Sequence, residues 1–152
     1  MDYDIRQAEA SGTGATSPLT PVDSALAVGD VPGALRAWQE VYGPALAGRR
    51  WEGFAEAGDA YLRIARASGS PVGGISRARD LYLSALFRAS GAGSLDGVLR
   101  LASAFVELGD DEVATHSLRM ARRLAGTNPN PDVRARLDTL QSRPPAPRQP
   151  VV

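Results

Sequence analysis

The sequence predicts an all-α protein, with antiparallel helix hairpins stacked as a short solenoid of about seven helices. Three observations predict it. Apolar residues recur three and four positions apart through most of residues 19–142. No segment alternates with period two, as a half-buried strand would. Helix-capping side chains stand just ahead of five of the periodic runs.

Taken in order, Thr20-Pro21 opens the first helix with a capping side chain before a proline at the first helical position. Pro18 and Pro21 restrict that helix to a stub. Asp30 precedes "VPGALRAWQEVY". A long helix is expected from about Arg50 to Ala67 and another from about Gly74 to Ala89, with "SGSPVGG" read as the loop between them. Ser94 caps "LDGVLRLASAFVEL". Asp110 caps "DEVATHSLRMARRLA", whose acidic first turn complements the positive end of the helix dipole. Asn130-Pro131 opens "PDVRARLDTLQ", where Val133, Leu137 and Leu140 share a face. Short connections favour antiparallel neighbours.

The flanks differ. Residues 1–18 are rich in Gly, Ser, Thr and Ala, lack periodicity and are expected to be a disordered tail. Residues 143–152 carry four prolines between Pro144 and Pro150 and are expected to be a second disordered tail. Pro144-x2-Pro147 has the form of a polyproline ligand, though a disordered end is the preferred reading. The domain therefore runs from 19 to 142.

Composition narrows the function classes. The 152 residues are enough for one domain with a real core. Seventeen basic and 17 acidic residues cancel, which argues against the broad basic footprint of a nucleic-acid or anionic-membrane binder. All the basic residues are arginine, the mark of a GC-rich coding bias, so a bacterial source is expected. There is no cysteine, hence no disulfide, thiolate metal site or thiol nucleophile. No apolar run approaches the roughly 20 residues of a spanning helix. The opening residues lack the apolar block of a secretory signal. A cytoplasmic protein is the expectation.

An internal repeat underlies the helices. Ala34-x3-Trp38-x2-Val41, Ala78-x3-Tyr82-x2-Ala85 and Ala114-x3-Leu118-x2-Ala121 share one spacing. The preceding helices repeat too: Val98-x2-Leu101-Ala102-x2-Phe105 matches Phe54-x2-Ala57-Gly58-x2-Tyr61. Small and large residues at i, i+4 and i+7 make one face against which another helix packs closely. These residues resemble the tetratricopeptide repeat, with three degenerate repeats over about residues 19–128 and a capping helix after them. The last repeat, about Leu95 to Asn128, fits best. From Ala102 to Ala114 is twelve residues, the family spacing, whereas Gly58 to Ala78 is eight residues longer. Arg122 stands where a leucine is usual.

Little in the chain points to catalysis. His116 is the only histidine and lies off the small-residue face. With no cysteine and no second histidine, no metal site is expected. "SGTGATS" and "GSPVGG" lack the preceding strand and the lysine of a phosphate loop. Asp110-Asp111 and the pair Glu52 and Glu56 are explained by capping and solvated faces. Arg119, Arg122 and Arg123 form a small basic stripe without the interleaved aromatics of a nucleic-acid site. No catalytic residue, cofactor or metal is therefore expected.

The resemblance implies a concave groove lined by the first helix of each repeat, receiving a peptide or helix of a partner protein. Carried over residue by residue, the middle repeat would present Glu52, Ala55, Asp59, Leu62 and Arg63. The last would present Asp96, Leu99, Ser103, Val106 and Glu107, with Arg100 beside them. Glu, Asp and Ala at the inner positions argue against a clamp for a terminal carboxylate. Leu62, Leu99 and Val106 flanked by acids suggest an apolar or basic segment. Trp51, at the entrance to the first helix of the middle repeat, is expected to anchor either such a contact or the stack, with the stack preferred. The expected function is a non-catalytic, adaptor- or chaperone-like interaction module. The alternative is a self-associating structural subunit, since a homo-oligomer is compatible with the same surfaces.

Overall fold

The computed structural model describes residues 20–143, and among these every regular element is an α-helix. The tails expected at 1–18 and after Arg143 lie outside the described residues. The helices are α1 Pro21–Ala27, α2 Val31–Ala47, α3 Trp51–Ala67, α4 Pro71–Gly91, α5 Leu95–Leu108, α6 Asp111–Ala125 and α7 Pro131–Ser142.

The capping side chains set the starts. Thr20, Asp30, Ser94, Asp110 and Asn130 each accept a hydrogen bond from the backbone N–H three residues on. Each bond satisfies one of the donors that a helix N-terminus leaves without a partner. Gly109 ends α5 at φ 73°, a left-handed conformation that an L side chain resists. There the Asp110 N–H reaches the Phe105 carbonyl at 3.0 Å and the Gly109 N–H reaches Val106 at 3.1 Å. The chain reverses with its last carbonyls paired.

One expectation is overturned. "SGSPVGG" is not a loop: Ser68–Ser70 make the turn, and α4 begins at Pro71 rather than Gly74. Proline suits a first helical turn, where its missing N–H has no partner to lose. Gly74, unfavourable in a helix on propensity, lies so close to Ala65 of α3 that a Cβ there would collide with the alanine methyl. The extra length of the middle repeat is thus helix in both arms of a long hairpin. It offers no inserted loop to carry specificity.

Consecutive helices pack on one another, α3 and α4 most extensively. Beyond these neighbours, α1 touches α3, α3 touches α5 and α5 touches α7, while α2, α4 and α6 make no comparable contacts among themselves. The odd helices form one continuous layer and the even helices the other. Between the layers lies a core rich in small residues: Ala34, Ala57, Ala60, Ala78, Ala85, Ala89, Ala102 and Ala121 are completely buried. Phe105, Leu99, Leu101, Val98 and Val22 supply the bulk.

Aromatic residues tie the hairpins together. The Trp38 Nε1–H donates to the Ala57 carbonyl at 2.8 Å, joining α2 to α3. The Trp38 ring meets Tyr61 edge-on at 5.1 Å. Tyr82 of α4 meets Phe105 of α5 in the same manner at 6.1 Å. Trp51, the first residue of α3, packs on α5 beside Gly97 and under the Arg100 guanidinium, in line with the preferred reading that it anchors the stack. Val133, Leu137 and Leu140 of α7 face the core, and α7 covers α5 and α6 as the capping helix.

The close approaches yield a stability prediction. A Cβ on Gly58 would sit 2.6 Å from Cε1 of the buried Tyr82 ring. Gly58→Ala and Gly74→Ala should each cost about 1–3 kcal/mol by overpacking. Gly73→Ala, where a Cβ meets nothing within 4 Å, should instead stabilise by about 0.4–1 kcal/mol. Urea unfolding of the three variants checks the contrast.

Candidate functional site

A groove of about 800 Å³ lies on the layer of odd helices. It draws Ala55, Asp59, Leu62, Arg63 and Arg66 from α3, Asp96, Leu99, Arg100, Ser103 and Glu107 from α5, and Ala135, Arg136, Thr139 and Leu140 from α7. Tyr82 reaches it from α4.

Nine of the residues expected from the sequence therefore stand together: Ala55, Asp59, Leu62, Arg63, Asp96, Leu99, Arg100, Ser103 and Glu107. Glu52 and Val106 do not join them. Glu52 faces a separate hollow with Arg50, and Val106 faces one beside Leu118 of α6. His116 is exposed on α6 and lies outside the groove lining.

The surface differs in character from the acid-flanked apolar strip that the sequence suggested. Leu62 and Leu99 are 6% and 1% exposed, so they are the floor of the core rather than free contact area. The aspartates are engaged. The Arg63 Nε–H donates to Asp23 Oδ1 of α1 at 2.8 Å, the Arg100 Nη2–H to Asp59 Oδ2 at 2.8 Å, and the Arg136 Nη1–H to Asp96 Oδ1 at 2.7 Å.

These three pairs are one interaction repeated. Their sequence separations are 40, 41 and 40 residues, and each joins an odd helix to the next odd helix. The pattern behind them is Asp59-x2-Leu62-Arg63, Asp96-x2-Leu99-Arg100 and Asp132-x2-Ala135-Arg136. Asp23-x2-Leu26 begins it without an arginine. Asp and Arg four apart share a helix face. Each rung therefore places an arginine toward the preceding helix and an aspartate toward the following one.

The ladder also corrects the register of the repeat. With Arg63 equivalent to Arg100, Ile64-Ala65 of α3 stands in the place of Leu101-Ala102 in α5, two turns later than Ala57-Gly58. The groove residues of α7 were missed for the same reason. Asp-x2-(Leu/Ala)-Arg was the signal that marks α7 as a fourth lining helix as well as a cap.

Local hydrogen bonding sets the electrostatics. The Tyr82 hydroxyl donates to Asp59 Oδ1 at 2.6 Å, so Asp59 accepts from both Tyr82 and Arg100. Burial first, and then the bond to this carboxylate, push the Tyr82 phenol well above its ordinary range, keeping it a donor. At the α1 edge the Thr20 hydroxyl donates to Asp23 Oδ2 at 2.6 Å. That bond and then the Arg63 guanidinium hold Asp23 below its ordinary value of 3.8. Arg66 and Glu107 make no ion pair with another described residue.

Among the described residues no helix is long and apolar enough to cross a membrane. No three His, Cys, Asp or Glu side chains there converge as a metal site would require. Comparison with protein families, with characterised proteins and with solved structures found no match to this chain. The fold and the groove define its class: a stack of α-helical hairpins with an open, charge-laddered groove on one layer.

The rungs should be unequal. Arg100→Ala breaks a partly exposed ion pair, worth about 0.2–1 kcal/mol. Asp59→Ala also strands the Tyr82 hydroxyl and should cost about 1–3 kcal/mol, with Tyr82→Phe recovering part of the loss. Chemical unfolding of the single and double variants measures this. Because the carboxyl of Asp23 is depressed in the folded state, its contribution is complete above pH 3.8 and fades as pH falls toward the lower value. Asp23→Asn should therefore flatten the acid limb of a stability-against-pH curve measured from about pH 5 to about pH 2.

Proposed function

We propose that this protein is a non-catalytic interaction module, similar in its repeat to tetratricopeptide proteins, that docks a short segment of a partner protein in the groove of the odd helices. The observation that carries the reading is the groove itself. A volume of about 800 Å³, open to solvent, with a small-residue and leucine floor and a rim of guanidinium groups, accommodates several side chains of a peptide or one helix turn after turn. Three of the rim arginines retain exposed side chains beside their aspartates: Arg63 at 42%, Arg100 at 37% and Arg136 at 47%. Each guanidinium has five N–H donors and spends one or two on the ladder. The fitting partner segment mixes acidic with small apolar side chains.

Binding is favoured over catalysis because Asp59 and Asp96 are each held by an arginine, leaving neither poised as a free general base. A second reading, self-association of the chain, is supported by Phe87, whose side chain stands 80% exposed on α4, on the layer opposite the groove. Light scattering across concentration separates the two. Under the docking reading the chain stays monomeric, and Phe87→Ser changes nothing. Under self-association the parent forms a discrete oligomer that Phe87→Ser dissolves.

Leu62 and Leu99 are unsuitable for testing the groove because a charge at either would break the core. Ser103→Trp and Thr139→Trp fill the groove from partly or fully exposed positions. Peptides selected on the parent protein should bind these variants at least about tenfold more weakly, a loss of about 1.4 kcal/mol. Arg77→Glu, on the even-helix layer, should leave affinity unchanged. Fluorescence anisotropy reads both, and equal affinity across all variants would remove the groove as the docking site.

A further inference from the structure

The described helices begin at the groove's own edge. Thr20 caps α1, and its hydroxyl bonds Asp23, which in turn holds Arg63 of the groove lining. Nineteen further residues of the chain precede Thr20. They divide by composition. Residues 11–19, "SGTGATSPL", have the makeup of a Gly/Ser/Thr tether, whereas residues 1–10, "MDYDIRQAEA", combine Asp2, Asp4 and Glu9 with Tyr3, Ile5 and small alanines. Against one arginine, three carboxylates leave this segment acidic. The chain thus carries, beside its own groove, a segment with the acidic and apolar chemistry that the groove's arginine rim and apolar floor accept.

Building on the docking reading, we infer that residues 1–10 occupy the groove in cis and act as an internal competitor for the partner segment. The groove offers such a segment the spare donors of Arg66, Arg100 and Arg136 and an apolar floor beside Ser103 and Thr139. The tether starts at the α1–α3 end of the lining, where Asp23 holds Arg63. A tether of nine Gly/Ser-like residues has a root-mean-square span of about 17 Å, and such a tether holds its cargo at an effective concentration on the order of millimolar. Even a weak cis contact then populates the occupied groove, and an external segment must displace it. The other tail is the poorer candidate. Residues 143–152 add Arg143 and Arg148 and no acid, so they bring like charge to an arginine rim.

The absence of cysteine gives a clean test on the full chain. A nitroxide attached at Ala8→Cys is the only label site, and relaxation enhancement of backbone amides reports where it spends its time. The expected result is selective broadening of Ser103, Ala104 and Thr139 over Asp80 on α4. It should be the same at low and high protein concentration and be lost in strong salt. Asp2→Arg with Asp4→Arg should abolish it, as should Arg66→Glu, an exposed position whose change leaves helicity intact by circular dichroism. Combining the opposite charges should restore part of it. Broadening that is absent, uniform over the surface or insensitive to the charge reversals overturns the inference. Broadening that grows with concentration assigns the contact to a second copy and equally overturns it. None of these outcomes touches the docking reading, which stands or falls on the groove-filling variants.

Discussion

The constraint on which the rest of this structure depends is the close approach of helix backbones through alanine and glycine. Gly58 against Tyr82, Gly74 against Ala65 and Gly97 against Trp51 leave no room for an added methyl. Eight alanines are wholly buried between the layers. With aromatics only 6% of the chain, the core cannot rely on a few large side chains. It relies on many short contacts, each small, summed over helices brought near enough for dispersion to act on both sides. The ion pairs cannot carry that load, since partly exposed pairs are worth about 0.2–1 kcal/mol apiece. They select register among odd helices that packing has already brought together.

That division of labour explains why the groove exists. Small residues face inward between the layers, so the longer charged side chains of the odd helices are left on the opposite face, in contact with the next odd helix. Repetition of Asp and Arg four apart turns these into rungs between α1, α3, α5 and α7. The groove that results sets Arg63, Arg66, Arg100 and Arg136 against Asp59, Asp96 and Glu107, so it is slightly basic and lined with guanidinium groups that have unused donors. Recognition of mixed acidic and apolar segments, by an external partner or by the chain itself, follows from that one arrangement.

Much of the fold was legible in the residues because capping is a local interaction. Thr20, Asp30, Ser94, Asp110 and Asn130 announce helix starts by chemistry that tertiary structure does not alter. The stretch "SGSPVGG" misled because propensity treats Gly73-Gly74 as a break, while the gain from packing Gly74 on Ala65 depends on a helix not yet placed. The groove was half legible. Spacing brought nine residues to the right face, yet nothing local distinguished Leu62 and Leu99 as floor from Leu62 and Leu99 as exposed contacts. The Asp-Arg pattern is present in the sequence, but its meaning lies in pairs some forty residues apart, which no local feature announces.

The central claim, that small-residue contacts set the hairpin register and thereby the groove, is tested most directly by proton–proton contacts across α3 and α4 in solution. Nuclear Overhauser effects should join the Ala65 methyl to the Gly74 α-protons and the Gly58 α-protons to the Tyr82 ring, with the Ile75 and Ser76 amides showing helical protection. Absence of both contacts, with the Ile75 and Ser76 amides exchanging as fast as those of an open loop, would contradict the account.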